Sequence, residues 1–290
     1  MPNESPEYIA ARCVLLDALI ALRPHLGSAV LVGAQAVYLR TSAMWLDAVQ
    51  PYTTDADLVL DPAQLMGPPP LSDALEEAGF ERHRPRPDGA FEPGVWRPRV
   101  PSTGGEQARV DLIVPESVAG TGGRRAARLH PPHGKKAARK CKGLEGALVD
   151  RDLMTIRSLD DSDNRSCELN VAGPAALLVA KVHKLHERLS VPERLNDKDA
   201  SDVLRLLAGV STEEMGRRWQ RLLGNPISEG VSRAALPQLD DLFARASSPG
   251  VTMACRALSP TLDSDTVATY LTQAVKRLRT DISASAKLAV

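Results

Sequence analysis

The chain has 290 residues, 36 basic against 36 acidic side chains, and 43% hydrophobic residues, which suits one large or two small domains with a real core and excludes a disordered or fibrous chain. Zero formal charge excludes a uniformly basic nucleic-acid binder and a polyacidic tail, though not local patches. Aromatic residues make up only 3% of the chain, too few for a platform of stacked bases.

Residues 6–23 place Ile9, Cys13, Leu16 and Ile20 at helical spacing and end at Pro24, so a helix is expected. A short β-leaning run over 29–32 stops at Gly33, and 35–46 reads as a second helix, giving strand, tight turn, helix. Residues 53–60 alternate and then turn apolar before Asp61-Pro62, as a strand should. Ser72 is placed to cap a short helix that stops at Gly79. The stretch 81–107, rich in Pro, Arg and Gly, is expected to form strand edges and a long loop, and 109–114 is the next strand.

From 117 to 144 there is no acidic residue, while Arg124, Arg125, Arg128, Lys135, Lys136, Arg139, Lys140 and Lys142 are all basic. Such a run suits a phosphate-backbone track for RNA, and equally a solvated loop. After residue 165 the composition turns helical. Gly173-Pro174 opens a helix to about 189 with Leu178, Val182, Leu185 and Leu189 as its stripe, and further helices are expected at 198–207 and near 212–223, 229–246 and 263–280. The fold class expected is α/β (α+β): a mixed sheet in an N-terminal domain, 1–165, and a helical bundle in a C-terminal domain, 166–290.

Cys13, Cys141, Cys167 and Cys255 lie far apart with no C-x-x-C spacing, which argues against a disulfide framework or a zinc knuckle. The first residues show no secretory pattern, and no apolar run reaches the length of a membrane span, so a cytoplasmic protein with no membrane partner is expected.

Asp55 and Asp57 stand two residues apart on a predicted strand, so both carboxylates leave the same face. Like charges that close are costly without a cation, and hard oxygen ligands suit Mg²⁺. Asp111, between Val110 and Leu112, is a third carboxylate within a strand; beside the first two it would complete a two-metal site. Taken singly, Asp-x-Asp also occurs at solvated strand ends.

Val32-Gly33-Ala34, Asp55-Ala56-Asp57 and Asp111, in that order, resemble the hG[GS]…Dh[DE]h…[DE]h pattern of the polymerase-β-like nucleotidyltransferase superfamily. Ala34 stands where Gly or Ser is usual, and the gap from Gly33 to Asp55 is long, both features closer to the AbiEii/MenT-type nucleotidyltransferase toxins. Lys181, Lys184 and Arg188, followed by Asp197-Lys198-Asp199 and Asp202, are similar to the K-x-x-A-x-x-x-R…[KR]-D-x-x-D segment of that branch. Positions 181, 184 and 188 share one helical face, where a lysine can act as a point charge for a triphosphate.

The resemblance implies a Mg²⁺-dependent enzyme that transfers NMP from an NTP to an acceptor. Asp55, Asp57 and Asp111 would hold metal, Asp111 helping to activate the acceptor hydroxyl, and Gly33, Ala34 and Thr54 would lie at the nucleotide. The helical half would contribute Lys181 or Lys184 and Asp199 or Asp202. It further implies the 3′ end of tRNA as acceptor, a toxin role in a toxin–antitoxin or phage-defence system, and a separate antitoxin protein. A small-molecule nucleotidyltransferase and a silent binding protein of the same fold remain open. Other motifs fail: His183, His186 and Glu187 lack H-E-x-x-H order, Asp161 and Asp163 start no EF-hand because Ser166 and Ala172 stand where Gly and Glu are needed, and no G-K-[ST] follows Gly120.

Overall fold

The computed structural model describes residues 4–41, 52–83, 91–101, 107–121, 125–134 and 136–288. The chain forms two compact units, one of Met1–Ala36, Gln50–Leu144 and Arg151–Ala172, the other of Val37–Val49, Glu145–Asp150 and Gly173–Val290. The first is α/β and the second helical. Among the described residues, no helix is long and apolar enough to cross a membrane.

In the first unit, helix α1 (Pro6–Ala21) begins where the Ser5 hydroxyl accepts from the Tyr8 amide at 3.2 Å and Pro6 takes the first helical turn. Leu15, Leu16 and Leu19 are its buried face. Strand β1 (Ala29–Val32) is buried along its whole length because it is interior to the sheet, antiparallel to β2 (Asp55–Leu60) and parallel to β8 (Ser166–Ala172). Gly33 then turns the chain into helix α2 (Gly33–Arg40). Residues 42–46 of the predicted second helix lie outside the described residues.

The remaining strands are β3 (Phe80–Arg82), β4 (Val95–Pro98), β5 (Arg109–Pro115), β6 (Arg139–Cys141) and β7 (Arg151–Arg157). The eight-stranded mixed sheet runs β3-β4-β5-β2-β1-β8-β7, with β6 on β5 beyond the end of β4. In β2, buried Ala56, Leu58 and Leu60 alternate with Asp55 and Asp57; in β5, buried Val110, Leu112 and Val114 alternate with Arg109 and Asp111. One face of each strand therefore packs in the core, and the other presents charge.

Three expectations are corrected. Ser72 is not the cap of helix α3 (Leu71–Glu77): it lies inside the helix, where its hydroxyl accepts from Arg82 at 3.0 Å, and the Leu71 amide is satisfied by His133 Nδ1, at 3.3 Å, from a distant part of the chain. Residues 166–172 are strand rather than the start of helical structure, because they pair with β1 on one side and β7 on the other. Finally, the solvated-loop alternative for the basic run does not hold for all of its described residues, since Ala127 and Lys140 amides bond to Ala138 and Arg125 carbonyls at 3.0 and 2.8 Å, and Ala127, Ala137 and Ala138 are buried.

The second unit contains α4 (Pro174–Arg188), α5 (Asp197–Gly209), α6 (Thr212–Leu223), α7 (Glu229–Phe243), α8 (Pro249–Leu258) and α9 (Ser264–Leu288); all but α8, which was not expected, lie close to the predicted helices. The start of α4 is fixed by buried Asp150, which accepts from the Ala176 amide at 3.2 Å and from Arg218 at 2.8 Å. Gly173 is required there, because a Cβ would overlap the Asp150 carboxyl. Asn196 and Ser211 cap α5 and α6.

Candidate functional site

Parallel pairing of β2 with β5 puts Asp55 opposite Arg109 and Asp57 opposite Asp111. Opposed residues share a face, so four charged side chains form a square on the sheet. Asp55 and Arg109 are ion-paired at 3.0 Å, and the Thr54 hydroxyl donates to Asp55 Oδ1 at 3.0 Å. Asp111 is 4% exposed and bonded to Arg139 at 2.5 Å, while the same guanidinium nitrogen lies 3.8 Å from Asp57. Asp111 Oδ1 is buried and makes no hydrogen bond.

Burial pushes the Asp111 carboxyl up to about 7; Arg139 opposes that shift, and the neighbouring Asp57 adds to it. For Arg139, burial works against its charge, but Asp111 and Asp57 outweigh burial and hold it above its ordinary value. Arg139 reaches the acids because β6 is drawn tightly onto β5, with Arg139 opposite Ile113. Gly94 makes this approach possible: its φ is +73°, and a Cβ would collide with the Leu112 carbonyl and the Arg139 amide.

Gly33 borders the same site. Val32 pairs with Asp57, Gly33 has φ +71°, and a Cβ there would overlap the Asp57 carboxylate. Behind the turn, buried Gln35 donates to the carbonyls of Ala11 and Asp55, both at 3.2 Å, and accepts from Arg12 Nε at 2.8 Å. Arg12, itself 1% exposed, also donates to Tyr8 Oη and the Arg157 carbonyl, both at 2.9 Å. The glycine turn and the main chain at the start of β2 are thus tied to one buried polar network. Ala34 is buried in the first turn of α2.

Among the described residues, no three His, Cys, Asp or Glu side chains are gathered closely enough to enclose a metal ion. Mg²⁺ does not need such a cage, since it is commonly held by one or two carboxylates with water and substrate phosphates completing its shell. Asp57 facing Asp111, whose buried Oδ1 makes no hydrogen bond and has only Arg109 Nε at 4.0 Å among the described residues, fits that requirement. Asp55 is engaged by Arg109 and Thr54 instead, so a three-carboxylate, two-ion cluster is not gathered.

The second unit carries a separate cluster. Lys181 Nζ donates to Asp199 at 2.8 Å and Asp202 at 2.6 Å, all three being buried. Lys184 reaches Asp199 at 2.8 Å, Arg188 lies 3.5 Å from Asp199, and Lys198 lies 3.5 Å from Asp202. Burial alone would lower the Lys181 pKa, but Asp199 and Asp202 outweigh it and hold the ammonium above its usual range. Burial likewise opposes the charge on Asp199, and Lys181 and Lys184 overcome it, holding its carboxyl below the usual range. Lys184 is pushed down by burial and then by the charge of Lys181. Four cations share two carboxylates here, and Lys184, at 42% exposure against 7% for Lys181, is the more open lysine.

Of the basic run, Arg125, Arg128 and Lys136 are exposed and Lys140 is partly exposed, while Arg124 and Lys135 lie outside the described residues. Arg139 is the exception: it turns from the strip into the carboxylates, because buried Asp111 requires a counter-charge. Arg109, Arg12 and Gln35 were not singled out from sequence. Arg109 could have been, since it stands two residues before Asp111 on the same strand face. Comparison of the chain with known protein families, curated proteins and solved structures finds no match, so the candidate site rests on its own geometry.

Proposed function

We propose that this chain is a Mg²⁺-dependent nucleotidyltransferase. The observation that carries the proposal is the strand register that sets Asp57 against Asp111, with Gly33 stripped of any Cβ beside Asp57. This is the arrangement expected where a polyphosphate must approach the backbone next to paired carboxylates. The motif resemblance of both halves to the AbiEii/MenT-type toxins supports the same reading.

In this reading Asp57 and Asp111 would hold the ion, with Asp55 beside them. The chemistry Mg²⁺ supplies when bound is neutralisation of charge on the phosphates and on the leaving pyrophosphate. The first amides of α2, after Gly33 and Ala34, have no partner within the helix and suit a phosphate oxygen. Asp111, in its ionised form, can accept the proton of an acceptor hydroxyl as that oxygen attacks the α-phosphorus and pyrophosphate leaves. The cation cluster of the second unit, with Lys184 the more exposed lysine, suits an anionic group, and Arg125, Arg128, Lys136 and Lys140 would track an RNA backbone. The acceptor proposed is the 3′ end of tRNA, and the biological role that of a toxin restrained by a cognate antitoxin.

The test incubates wild type and Asp57→Ala with total RNA and each NTP labelled at the α-phosphate. Label on tRNA with wild type alone supports the proposal. Label on a small molecule instead removes the RNA acceptor, and no transfer to any acceptor removes the enzyme.

A further inference from the structure

The carboxylate pair already has a cation between its members. Arg139 lies 2.5 Å from Asp111 and 3.8 Å from Asp57 through one guanidinium nitrogen, so it occupies the space a bridging ion would need. Mg²⁺ binds carboxylate oxygens at about 2.0–2.1 Å, and it cannot share that space with a guanidinium. Resting on the nucleotidyltransferase reading, we propose that Arg139 is a displaceable counter-cation: it holds Asp57 and Asp111 together without metal, and it must withdraw for a divalent ion to enter.

Several features fit a group built to leave. The backbone of Arg139 is fixed by its pairing with Ile113, whereas its side chain is 32% exposed and so is not sealed in the core. Its Nε is buried and donates to no acceptor among the described residues. Among the described residues, the guanidinium is held chiefly by the two carboxylates, at the end of a long, rotatable side chain. Departure without replacement would leave two carboxylates side by side, one of them buried, which is strongly unfavourable. Release of Arg139 is thus coupled to arrival of a stronger cation. Once released, a guanidinium that cannot lose its charge seeks an anion, and a nucleotide's phosphates supply one. Arg139 accordingly makes metal entry weak without nucleotide and favourable with it.

The test measures Mn²⁺ binding to the full chain, without nucleotide, by electron paramagnetic resonance. Because a charge-assisted bond must be broken for the ion to enter, Arg139→Gln is expected to tighten Mn²⁺ binding about tenfold or more. Lys142→Gln removes one exposed positive charge from the same segment and is expected to leave affinity within about twofold. Equal or weaker binding in Arg139→Gln, or equal tightening in Lys142→Gln, overturns the proposal while leaving the metal site intact. Absence, in Arg139→Gln itself, of any Mn²⁺ binding that a further Asp57→Asn abolishes overturns the metal reading, and the proposal with it.

A second measurement needs no folded Gln variant. In ¹⁵N-labelled wild type, the Arg139 Nε–H signal, identified by its loss in Arg139→Lys, is followed while Mg²⁺ and a non-hydrolysable NTP analogue are added together. A large shift in that signal is expected, and an unmoved signal under saturating ligand overturns the displacement.

Discussion

Lys181→Met is the sharpest test of how the second unit is held together. Lys181 bonds both buried carboxylates, but the two depend on it unequally. Asp199 retains Lys184 at 2.8 Å and Arg188 at 3.5 Å, whereas Asp202, fully buried, retains among the described residues only Lys198 at 3.5 Å. Removing one partner of a buried pair costs about 3–5 kcal/mol, because the other charge is left uncompensated. Most of that cost should fall on Asp202, so a second substitution, Asp202→Leu, should recover part of it, by about 1 kcal/mol or more. Urea unfolding followed by far-ultraviolet circular dichroism, which weights the helices, reads both effects. A double variant as unstable as the sum of the two singles would refute this reasoning, since it would show that no uncompensated charge was being relieved.

Gly33→Ala combines two faults, a left-handed backbone at φ +71° and a Cβ inside the Asp57 carboxylate. The backbone alone costs about 1–2 kcal/mol, while displacement of Asp57 should lower label transfer about a hundredfold, a split visible by comparing denaturant midpoints with transfer rates. Acid should destabilise the first unit through His133 and His25. Burial lowers both pKa values, the Met66 carbonyl opposing this at His133 and the Pro69 carbonyl at His25. A folded pKa below the unfolded value of about 6.5 means that stability is fully present above that pH and is lost as pH falls through it. The geometry agrees, because His133 Nδ1 must be unprotonated to accept from Leu71 while Nε2 bonds the Met66 carbonyl at 2.6 Å. Urea midpoints should fall from neutral to mildly acidic pH in wild type, and fall less in His133→Gln.

What was legible in the sequence was local. Alternation exposed β2, an apolar run ending at Pro115 exposed β5, and Pro174 after Gly173 marked the start of α4, because each signal sits within a few residues of the element it specifies. The edge strand β7 escaped notice because, of its seven residues, only Ile156 is fully buried, leaving little hydrophobic pattern to detect. The carboxylates were legible as residue types, but their counter-ions were not. Arg139 belongs by composition to a basic run, and only the pairing of β6 with β5, made possible by Gly94 some forty-five positions earlier, carries it to Asp111. The cap on α3 was misassigned for the same reason, its partner His133 lying 62 residues away.

The two charged clusters solve opposite electrostatic problems with the same few residue types. On the sheet, Asp55, Asp57 and Asp111 exceed the two arginines that pair with them, leaving negative charge and a buried carboxylate oxygen with no hydrogen bond. Around α4 and α5, lysines and an arginine exceed the aspartates, leaving positive charge on a partly exposed lysine. A site of the first kind gains from a cation and one of the second kind from an anion. Neither excess is visible in a chain whose formal charges sum to zero. Each local imbalance is maintained by burial that would be unfavourable unless some ligand, or a resident counter-ion such as Arg139, answered it.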